Sequence, residues 1–326
     1  MLTKPRNGLS WGLRAADHEL GFLRCGRVHV IGARPASGKT TYLTGWLDRH
    51  IMAVERAFEH GGDRFWKMPR RVAVFFTERS PQIARLSWAA LRCGYDVDAV
   101  TGEDWSYLPE GASKAIASEL EWIAYVERQG WVKFYDLARP TVSTIGNALA
   151  DHAEAHNGIG AQIVVFDYLQ RVRPEGRQTK FEAVAEAAHL FQTMAVTLGL
   201  VVIVASQLKR KGDGVFDKYR PPNLEDFKLS GDIEEVADVA IGFFRPLQKM
   251  TAKDERAIRA GEIDLERFKV HDVMAIKIIK HRWRGPANDK ILWVRHSNGR
   301  IEDMPATPPP NAGDAWEPEA EYAVPF

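Results

Sequence analysis

A turn of small residues between an apolar run and a helical segment constrains the fold of this chain more than any other feature. The turn reads Ala33-Arg34-Pro35-Ala36-Ser37-Gly38-Lys39-Thr40, continues into Thr41, and follows the apolar run 28–31. A strand, a tight turn and a helix in this order present backbone N–H groups and the positive helix end to an anion. The pattern G-x-x-x-x-G-K-[ST] assigns Lys39 to the β- and γ-phosphates and the Thr40 hydroxyl to Mg²⁺. We therefore predict that residues 33–41 bind ATP, although Ala33 stands where the pattern has Gly.

Short apolar runs alternate with helical segments along the chain. The runs 28–31, 72–76, 163–166 and 201–205 are apolar on both faces, as in strands that helices cover on both sides of a parallel sheet. Further strands are predicted at 239–244 and 273–279, and helices at 39–56, 81–93, 113–129, 144–156, 181–198 and 249–267. Short turns separate strands near Ile276, Leu292 and Ile301, which favours antiparallel pairing at the sheet edge. The predicted fold class is α/β, a mostly parallel twisted sheet flanked by helices.

Cysteine usage, hydropathy and net charge exclude several classes of protein. Cys25 and Cys93 lie far apart and outside any CxxC pattern, which argues against a disulfide framework or a zinc site and favours the cytoplasm. No apolar run approaches the ~20 residues of a membrane helix, and the N-terminus lacks the apolar core of a signal peptide. The formal net charge is +1, so nucleic-acid binding has to come from local clusters. Residues 1–303 are predicted to form the folded domain, and the Pro-rich acidic segment 304–326 a disordered tail.

Three polar residues follow predicted parallel strands, at positions that suit the hydrolysis of a phosphate. Glu78 follows the run 72–76, Asp167 the run 163–166 and Gln207 the run 201–205. Because the carboxyl ends of parallel strands meet at one edge of the sheet, these residues should lie beside the phosphate-binding turn. Asp167 would orient Mg²⁺ with Thr40, and Glu78 would polarise an attacking water. Gln207 would sense the γ-phosphate without adding charge, although each residue taken alone could also be an ordinary loop or structural residue.

Sequence blocks in a fixed order surround these residues. They are Gly8-Leu9-Ser10-Trp11-Gly12-Leu13 with Asp17, the turn 33–40, Phe75-Phe76-Thr77-Glu78, Asp167-Tyr168-Leu169-Gln170, Ser206-Gln207-Leu208-Lys209-Arg210, Leu229-Ser230-Gly231-Asp232-Ile233-Glu234-Glu235-Val236-Ala237-Asp238 and Lys280-His281-Arg282-Trp283-Arg284-Gly285-Pro286. Across residues 7–303 they resemble the RecA-fold motor domain of DnaB-type replicative helicases. The P-loop of that family also has Ala where other P-loops have Gly, so Ala33 supports the resemblance.

The resemblance implies a homo-hexameric ring in which ATP lies between neighbouring subunits. The last block is similar to the family's Lys-x-Arg-x-Gly-Pro motif. Lys280 and Arg282 would then reach the γ-phosphate held by the adjacent subunit, as an arginine finger in trans. The block has one extra residue, which leaves open whether Arg282 or Arg284 is the finger; the Lys-x-Arg spacing favours Arg282.

Two basic loops are candidate contacts for single-stranded DNA. Their cations are Arg171, Arg173, Arg177 and Lys180 in the first loop, and Lys209, Arg210 and Lys211 at the start of the second. Both loops follow strands at the sheet edge that holds the ATP site, and the corresponding loops of the related family line a central channel. Cation–phosphate contacts are independent of base sequence and sensitive to salt. The alternative for any one of these side chains is a solvated surface position.

The function implied by the resemblance is ATP-driven translocation on single-stranded DNA, 5′ to 3′, to unwind duplex DNA in replication. The alternatives are a RecA-fold recombination mediator or loader that binds single strands without unwinding, and a P-loop ATPase acting on proteins or small molecules. Because the chain begins almost at the first block, we expect neither an N-terminal helical domain nor a linker helix. The tail carries Asp314, Glu317, Glu319, Glu321 and the terminal Phe326, and is either a docking segment for a replisome partner or an unselected end.

Overall fold

The computed structural model describes most of the chain and stops short of the tail. The described residues are 8–35, 37–61, 69–102, 105–137, 139–155, 160–209, 221–227, 230–245, 273–285, 289–297 and 300–304. Among the helices of these residues, none is long and apolar enough to cross a membrane. The predicted helix 249–267 and the tail from residue 305 onward lie outside the described residues.

Helices and strands alternate through the first two thirds of the chain. The helices are α1 (Arg14–Leu20), α2 (Lys39–Glu59), α3 (Pro81–Cys93), α4 (Val97–Thr101), α5 (Ala112–Arg128), α6 (Val142–Ala155), α7 (Lys180–Leu198) and α8 (Ser230–Val236). The strands are β1 (Gly8–Leu9), β2 (Leu23–Arg24), β3 (Arg27–Ala33), β4 (Val72–Phe76), β5 (Val132–Phe134), β6 (Ile163–Asp167), β7 (Val201–Gln207), β8 (Val239–Phe244), β9 (Val273–His281), β10 (Ile291–Ser297) and β11 (Arg300–Asp303).

The described strands from β3 onward form a nine-stranded sheet in the order β11-β10-β9-β8-β3-β7-β6-β4-β5. From β8 to β5 in this order every pairing is parallel. Strand β9 pairs antiparallel with both β8 and β10, and β10 pairs antiparallel with β11. The strand that enters the phosphate-binding turn, β3, therefore lies between two parallel neighbours. This topology confirms the α/β class with a mostly parallel sheet and antiparallel strands near the C-terminus.

Hydrophobic packing covers both faces of the parallel part of the sheet. Alternate residues of β4 show the division, because Val72 and Val74 pack in one cluster and Ala73 and Phe75 in the other. The first cluster is closed by helices α2, α3 and α5, and the second by α6, α7 and α8. Burial on both faces explains why these strands read as continuous apolar runs instead of alternating ones.

Local capping signals determine where the main helices begin and end. Thr179 and Glu182 form a reciprocal capping box at the start of α7, and Gly199 ends this helix in the left-handed conformation. At α3, the Ser80 side chain accepts from the backbone N–H of Ile83, and Pro81 occupies the first turn. The predicted ends of these two helices lie within one residue of the observed ones, whereas α2 extends three residues beyond its predicted end.

The sequence did not predict the short elements. Strand β5 has three residues, α4 has five, and the β1–β2 ribbon pairs only Gly8 with Arg24 and Leu9 with Leu23. Elements of this length contain less than two periods of a helical or strand pattern, so periodicity does not detect them.

Candidate nucleotide-binding site

The phosphate-binding turn joins β3 to α2 as its sequence predicts. Gly38 has φ of 83°, and a Cβ at this position would lie 3.2 Å from Ile301 Cδ1, so the turn requires glycine here. Ala33 is the last residue of β3, is fully buried and pairs with Gln207 and Phe243. An alanine suits this position because it belongs to the strand and not to the turn. Ala36 lies outside the described residues.

Two residues of the P-loop meet one carboxylate. The Lys39 ammonium lies 3.0 Å from Asp167 Oδ1, and the Thr40 hydroxyl donates a 2.6 Å hydrogen bond to Asp167 Oδ2. Asp167 is buried at the carboxyl end of β6, two strands away from β3. A hydroxyl and a carboxylate oxygen at this separation form a hard-oxygen donor set, which suits Mg²⁺.

An open cavity of about 450 Å³ lies over this cluster. Its lining contains the predicted Lys39, Thr40, Glu78 and Gln207, together with the other described residues of the turn. A volume of this size falls within the range of small-ligand sites. The structure thus places the predicted residues of one chain, from three separate strands, around one space.

Tyr168 connects the predicted residues on one wall of the cavity. The Lys39 ammonium lies 4.6 Å from the centre of its ring, within cation–π distance. Burial, followed by the neighbouring Glu78 carboxylate, raises the pKa of the Tyr168 phenol. The sequence block containing Tyr168 matched the related family, but the residue types alone assigned it no role.

Gln207 is fixed through a second glutamine. The Gln170 side chain accepts a 2.9 Å hydrogen bond from the Gln207 backbone N–H, and its amide donates to Ser206 Oγ at 2.9 Å. This amide therefore fastens the loop after β6 to the end of β7. If Gln207 contacts the γ-phosphate, these hydrogen bonds couple that contact to the first basic loop.

Other residues line the cavity without any signal in the sequence. They include Arg79, Asp96, Asp98, Arg245 and His296. They come from the ends of elements that are distant in sequence, so their convergence follows from the strand order and not from a local motif.

The predicted trans residues lie at the opposite edge of the sheet. His281 pairs with Val239, which pairs with His29, near the amino end of β3. Strands rise about 3.3 Å per residue, so this level lies about 13 Å along the sheet from the Ala33 end of β3. Arg282 follows His281 and is farther still from the cavity of its own chain. The structure thus separates Lys280 and Arg282 from the other predicted catalytic residues.

Arg282 and Arg284 have different surroundings at this edge. Arg282 donates to Asp238 Oδ1 and to the Glu235 carbonyl, both at 3.0 Å, and its side chain is 41% exposed. The Arg284 guanidinium donates to the carbonyls of His18 and Glu19, both at 2.9 Å, at the C-terminal end of α1. Arg284 therefore has a structural position, where a cation neutralises the negative end of a helix. Lys280 donates to the carbonyl of Glu234.

Comparisons with known proteins place the chain in a family. The family model described as the DnaB-like helicase C-terminal domain matches residues 8–302. The chain belongs to this family. A replicative DNA helicase DnaB of Helicobacter pylori is 26% identical over 323 residues, covering 91% of this chain and 60% of the relative. A DnaB of Rickettsia felis is 25% identical over 295 residues, covering 88% and 55%. The chain thus spans 60% and 55% of these two relatives, little more than half of their length.

Solved structures of related motor domains share the fold. A DnaB-like replicative helicase, solved to describe its interactions with primase, aligns with a TM-score of 0.68 at 16% identity, over 93% of this chain and 64% of that one. A second solved structure, of an ATPase domain, aligns with a TM-score of 0.64 at 18% identity, over 93% of this chain and 94% of that one. These likenesses confirm the RecA-like fold predicted from the sequence.

The first basic loop of this DnaB-like domain brings three of its cations close together. The Lys180 ammonium donates to the Val172 carbonyl, and burial, followed by the charges of Arg173 and Arg171, lowers its pKa. Arg171, Arg173 and Lys180 therefore lie close together. Arg177 lines an open groove along the start of α7 that also contains Glu182 and Glu186.

The second basic loop is described only at its beginning. Lys209 is exposed, and its ammonium donates to the Glu225 carbonyl at 3.2 Å. Arg210 and Lys211 lie outside the described residues. Because β6 and β7 are adjacent parallel strands, both loops leave the same sheet edge, next to the nucleotide cavity.

Proposed function

We propose that this chain is an ATP-driven motor of the DnaB-like helicase family that moves on single-stranded DNA and separates duplex strands. The observation that carries the proposal is the meeting of Lys39 and Thr40 on Asp167, with Glu78 and Gln207 lining the same cavity. A P-loop, a metal-orienting acid, an acid near the attack position and a neutral amide are the parts that ATP hydrolysis requires.

Each group of the cavity has a task in hydrolysis. Lys39 and the backbone of the turn would hold the β- and γ-phosphates of ATP. Thr40 and Asp167 would hold Mg²⁺, which neutralises charge that develops on the phosphates. Glu78 would orient the attacking water and accept its proton, and Gln207 would contact the γ-phosphate. Tyr168 would keep Lys39 and Glu78 apart, because its ring lies under the ammonium and its phenol beside the carboxylate.

We infer that the complete site forms between two copies of the chain in a ring, which the resemblance implies to be a hexamer. Support comes from the sheet register, which places Arg282 and Lys280 at the edge opposite their own cavity. A residue at that edge serves a phosphate only if the phosphate belongs to a neighbouring chain. An interface of this head-to-tail kind closes into a ring when the rotation between copies is complete.

Single-stranded DNA would contact the basic loops. Arg171 and Arg173 are exposed at the edge beside the cavity, and Lys209 begins the loop from the adjacent strand. Cations in these positions suit a sugar–phosphate backbone and carry no base preference. Gln170 lies between the first loop and Gln207, so DNA on the loop and phosphate in the cavity act on one hydrogen-bonded unit.

Strand separation on a forked DNA substrate tests the proposal. The wild-type chain should release the displaced strand in an ATP-dependent manner, whereas Glu78→Gln should bind nucleotide and DNA but lose turnover by about 10²- to 10⁴-fold. Glu121→Gln, at an exposed acid of α5, is the matched control and should behave as wild type. Annealing or loading without unwinding would identify a recombination mediator, and turnover indifferent to DNA would indicate a different substrate.

The tail remains a sequence-based proposal. We propose that its acidic residues and terminal Phe326 dock on a replisome partner. Deleting the last ten residues or so should abolish capture of that partner in a pull-down, while ATP turnover stays unchanged. Undiminished capture would refute this role.

A further inference from the structure

A buried carboxylate lies between the phosphate-binding strand and the proposed finger. Asp238 directly precedes β8, and its side chain is 4% exposed. Its Oδ2 accepts the backbone N–H of Val28 at 3.0 Å, and its own N–H donates to the Val28 carbonyl at 2.9 Å. These two bonds fasten Asp238 to the amino end of β3.

The other oxygen of the same carboxylate is directed to cations. Asp238 Oδ1 lies 3.0 Å from Arg282 Nη1 and 3.7 Å from Arg27 Nη1. The backbone N–H of Arg282 also donates to the Asp238 carbonyl at 3.0 Å. Arg282 is therefore held to Asp238 through both its backbone and its side chain.

The contacts of Arg282 leave part of its guanidinium for an anion. One N–H of Nη1 serves Asp238, and one N–H of Nη2 serves the Glu235 carbonyl. A guanidinium has five N–H donors in a rigid plane, so fixing two of them sets the direction of the rest. The side chain as a whole is 41% exposed, so it is open to solvent or to a neighbouring chain.

We propose that Asp238 is a positioning residue for Arg282, holding the guanidinium in the orientation in which it meets the phosphate of the neighbouring copy. This role rests on the proposed function, in which Arg282 acts in trans. The carboxylate stays with its own chain and touches no nucleotide. It acts by keeping the long side chain of Arg282 in one rotamer, so that little conformational entropy is lost when the neighbouring phosphate binds.

A purely local role for Asp238 makes a different prediction. Because the same carboxylate holds Val28 on the phosphate-binding strand, its loss could instead damage the cavity of its own chain. The two roles differ in which chain's site loses ATP turnover. A positioning role impairs the neighbour's site, and a local role impairs the chain's own site.

Mixed assemblies separate the two roles. Asp238→Asn alone should lower ATP turnover by about tenfold to a hundredfold, as expected for loss of one charge-assisted hydrogen bond. Mixed with Glu78→Gln chains, whose own sites are inactive but whose fingers are intact, it should recover turnover. Recovery should approach about a quarter of the wild-type rate, because random mixing leaves about one interface in four with both intact partners. Arg27→Gln removes the weaker contact of Asp238 and should cost much less.

The outcomes of this experiment are distinguishable. Recovery for Arg282→Ala but not for Asp238→Asn would overturn the positioning role and leave the trans finger in place. No recovery for Arg282→Ala would overturn the proposed trans site and the role of Asp238 with it. The double variant Asp238→Asn/Arg282→Ala should be no slower than Arg282→Ala alone. If neither Asp238→Asn nor Asp238→Glu chains bind an ATP analogue, the carboxylate is needed for the chain's own strand, and the positioning role is refuted.

Discussion

The two edges of the parallel sheet carry the two groups of residues that the proposed function joins into one reaction centre. At the carboxyl edge, the Lys39 ammonium and the Thr40 hydroxyl contact the Asp167 carboxylate of the same chain. At the amino edge, Arg282 is exposed and held by Asp238, with its own nucleotide cavity more than about 13 Å away along the strands. The first edge is organised to bind a ligand, and the second to present a side chain.

The contrast between the two edges indicates how much of a site one chain can assemble alone. The residues proposed to hold the nucleotide line one cavity of a single chain, so nucleotide binding should not need another copy. Stabilising the transition state needs a further cation that the same edge does not receive from Arg282 or Lys280. Binding and turnover should therefore respond differently to changes at the two edges.

The largest expected effect comes from the amino edge. Arg282→Ala should lower ATP turnover at least about 10³-fold, as loss of an arginine finger does in related phosphoryl transfer. Affinity for an ATP analogue should stay near wild type, because the P-loop edge is untouched. Steady-state ATPase assays and equilibrium nucleotide binding measure the two quantities separately.

Arg284→Ala is the matched control for this comparison. Its two hydrogen bonds go to the end of α1, so its loss should lower the free energy of unfolding by about 1–3 kcal/mol and change turnover only a few-fold. A greater loss of turnover from Arg284→Ala than from Arg282→Ala would exchange their roles.

The next effect is a pH dependence of stability at the amino edge. His29 is buried in β3, accepts the Arg24 N–H at Nε2 and donates from Nδ1 to the Val202 carbonyl. Burial above all lowers its pKa to about 4, and the positive charges nearby add to this effect. A depressed folded-state pKa gives stability that is present above pH 6.5 and lost as the pH falls through 4. When the pH falls from about 7 to 4.5, His29 should lower the free energy of unfolding of the wild type by about 2 kcal/mol. The His29→Gln variant should lack this loss.

Chemical denaturation at both pH values gives this difference directly. His60→Gln, at an exposed position, should show the same change of unfolding free energy with pH as the wild type. Asp17 acts in the opposite direction. Burial raises its pKa to about 6, so its contribution to the stability of the fold is lost as the pH rises through that value. The comparison between variants, and not the wild-type profile alone, therefore isolates His29. If the free energy of unfolding of His29→Gln falls with pH as steeply as that of the wild type, protonation of His29 is not the cause of the loss.

The smallest effect concerns DNA at the carboxyl edge. Arg171→Ala/Arg173→Ala should weaken binding of single-stranded DNA about tenfold and reduce the salt slope of log affinity by about 1.4, or about 0.7 per phosphate contact. Lys180→Ala should do less, because its ammonium already serves the Val172 carbonyl. Fluorescence anisotropy across a salt series measures both quantities. Equal effects of Lys180→Ala would mean that DNA contacts the loop beyond Arg171 and Arg173.

The sequence predicted the carboxyl edge better than the amino edge. Glu78, Asp167 and Gln207 could be placed together because each follows an apolar run, and parallel strands bring their carboxyl ends to one edge. No such rule joins Asp238 to Val28, residues 210 positions apart whose contact depends on β8 lying next to β3. Strand order depends on long-range packing, which a local pattern does not contain. The same limit applies to His296 and Arg245, which reach the cavity from distant elements.

The resemblance supplied what the patterns could not. It assigned Lys280 and Arg282 to a neighbouring chain, and the register then placed them at the far edge of the sheet. The remaining choice between Arg282 and Arg284 needed side-chain contacts, since both residues follow β9 within a few positions.

Diluting the wild-type protein tests whether the reaction centre is divided between copies of the chain. ATP turnover per chain should be measured across a concentration range while mass photometry follows the assembly state. Turnover per chain should fall as assemblies dissociate, and nucleotide binding to the dissociated chain should persist. A constant turnover per chain, maintained where the protein is monomeric, would show that each chain completes its own site.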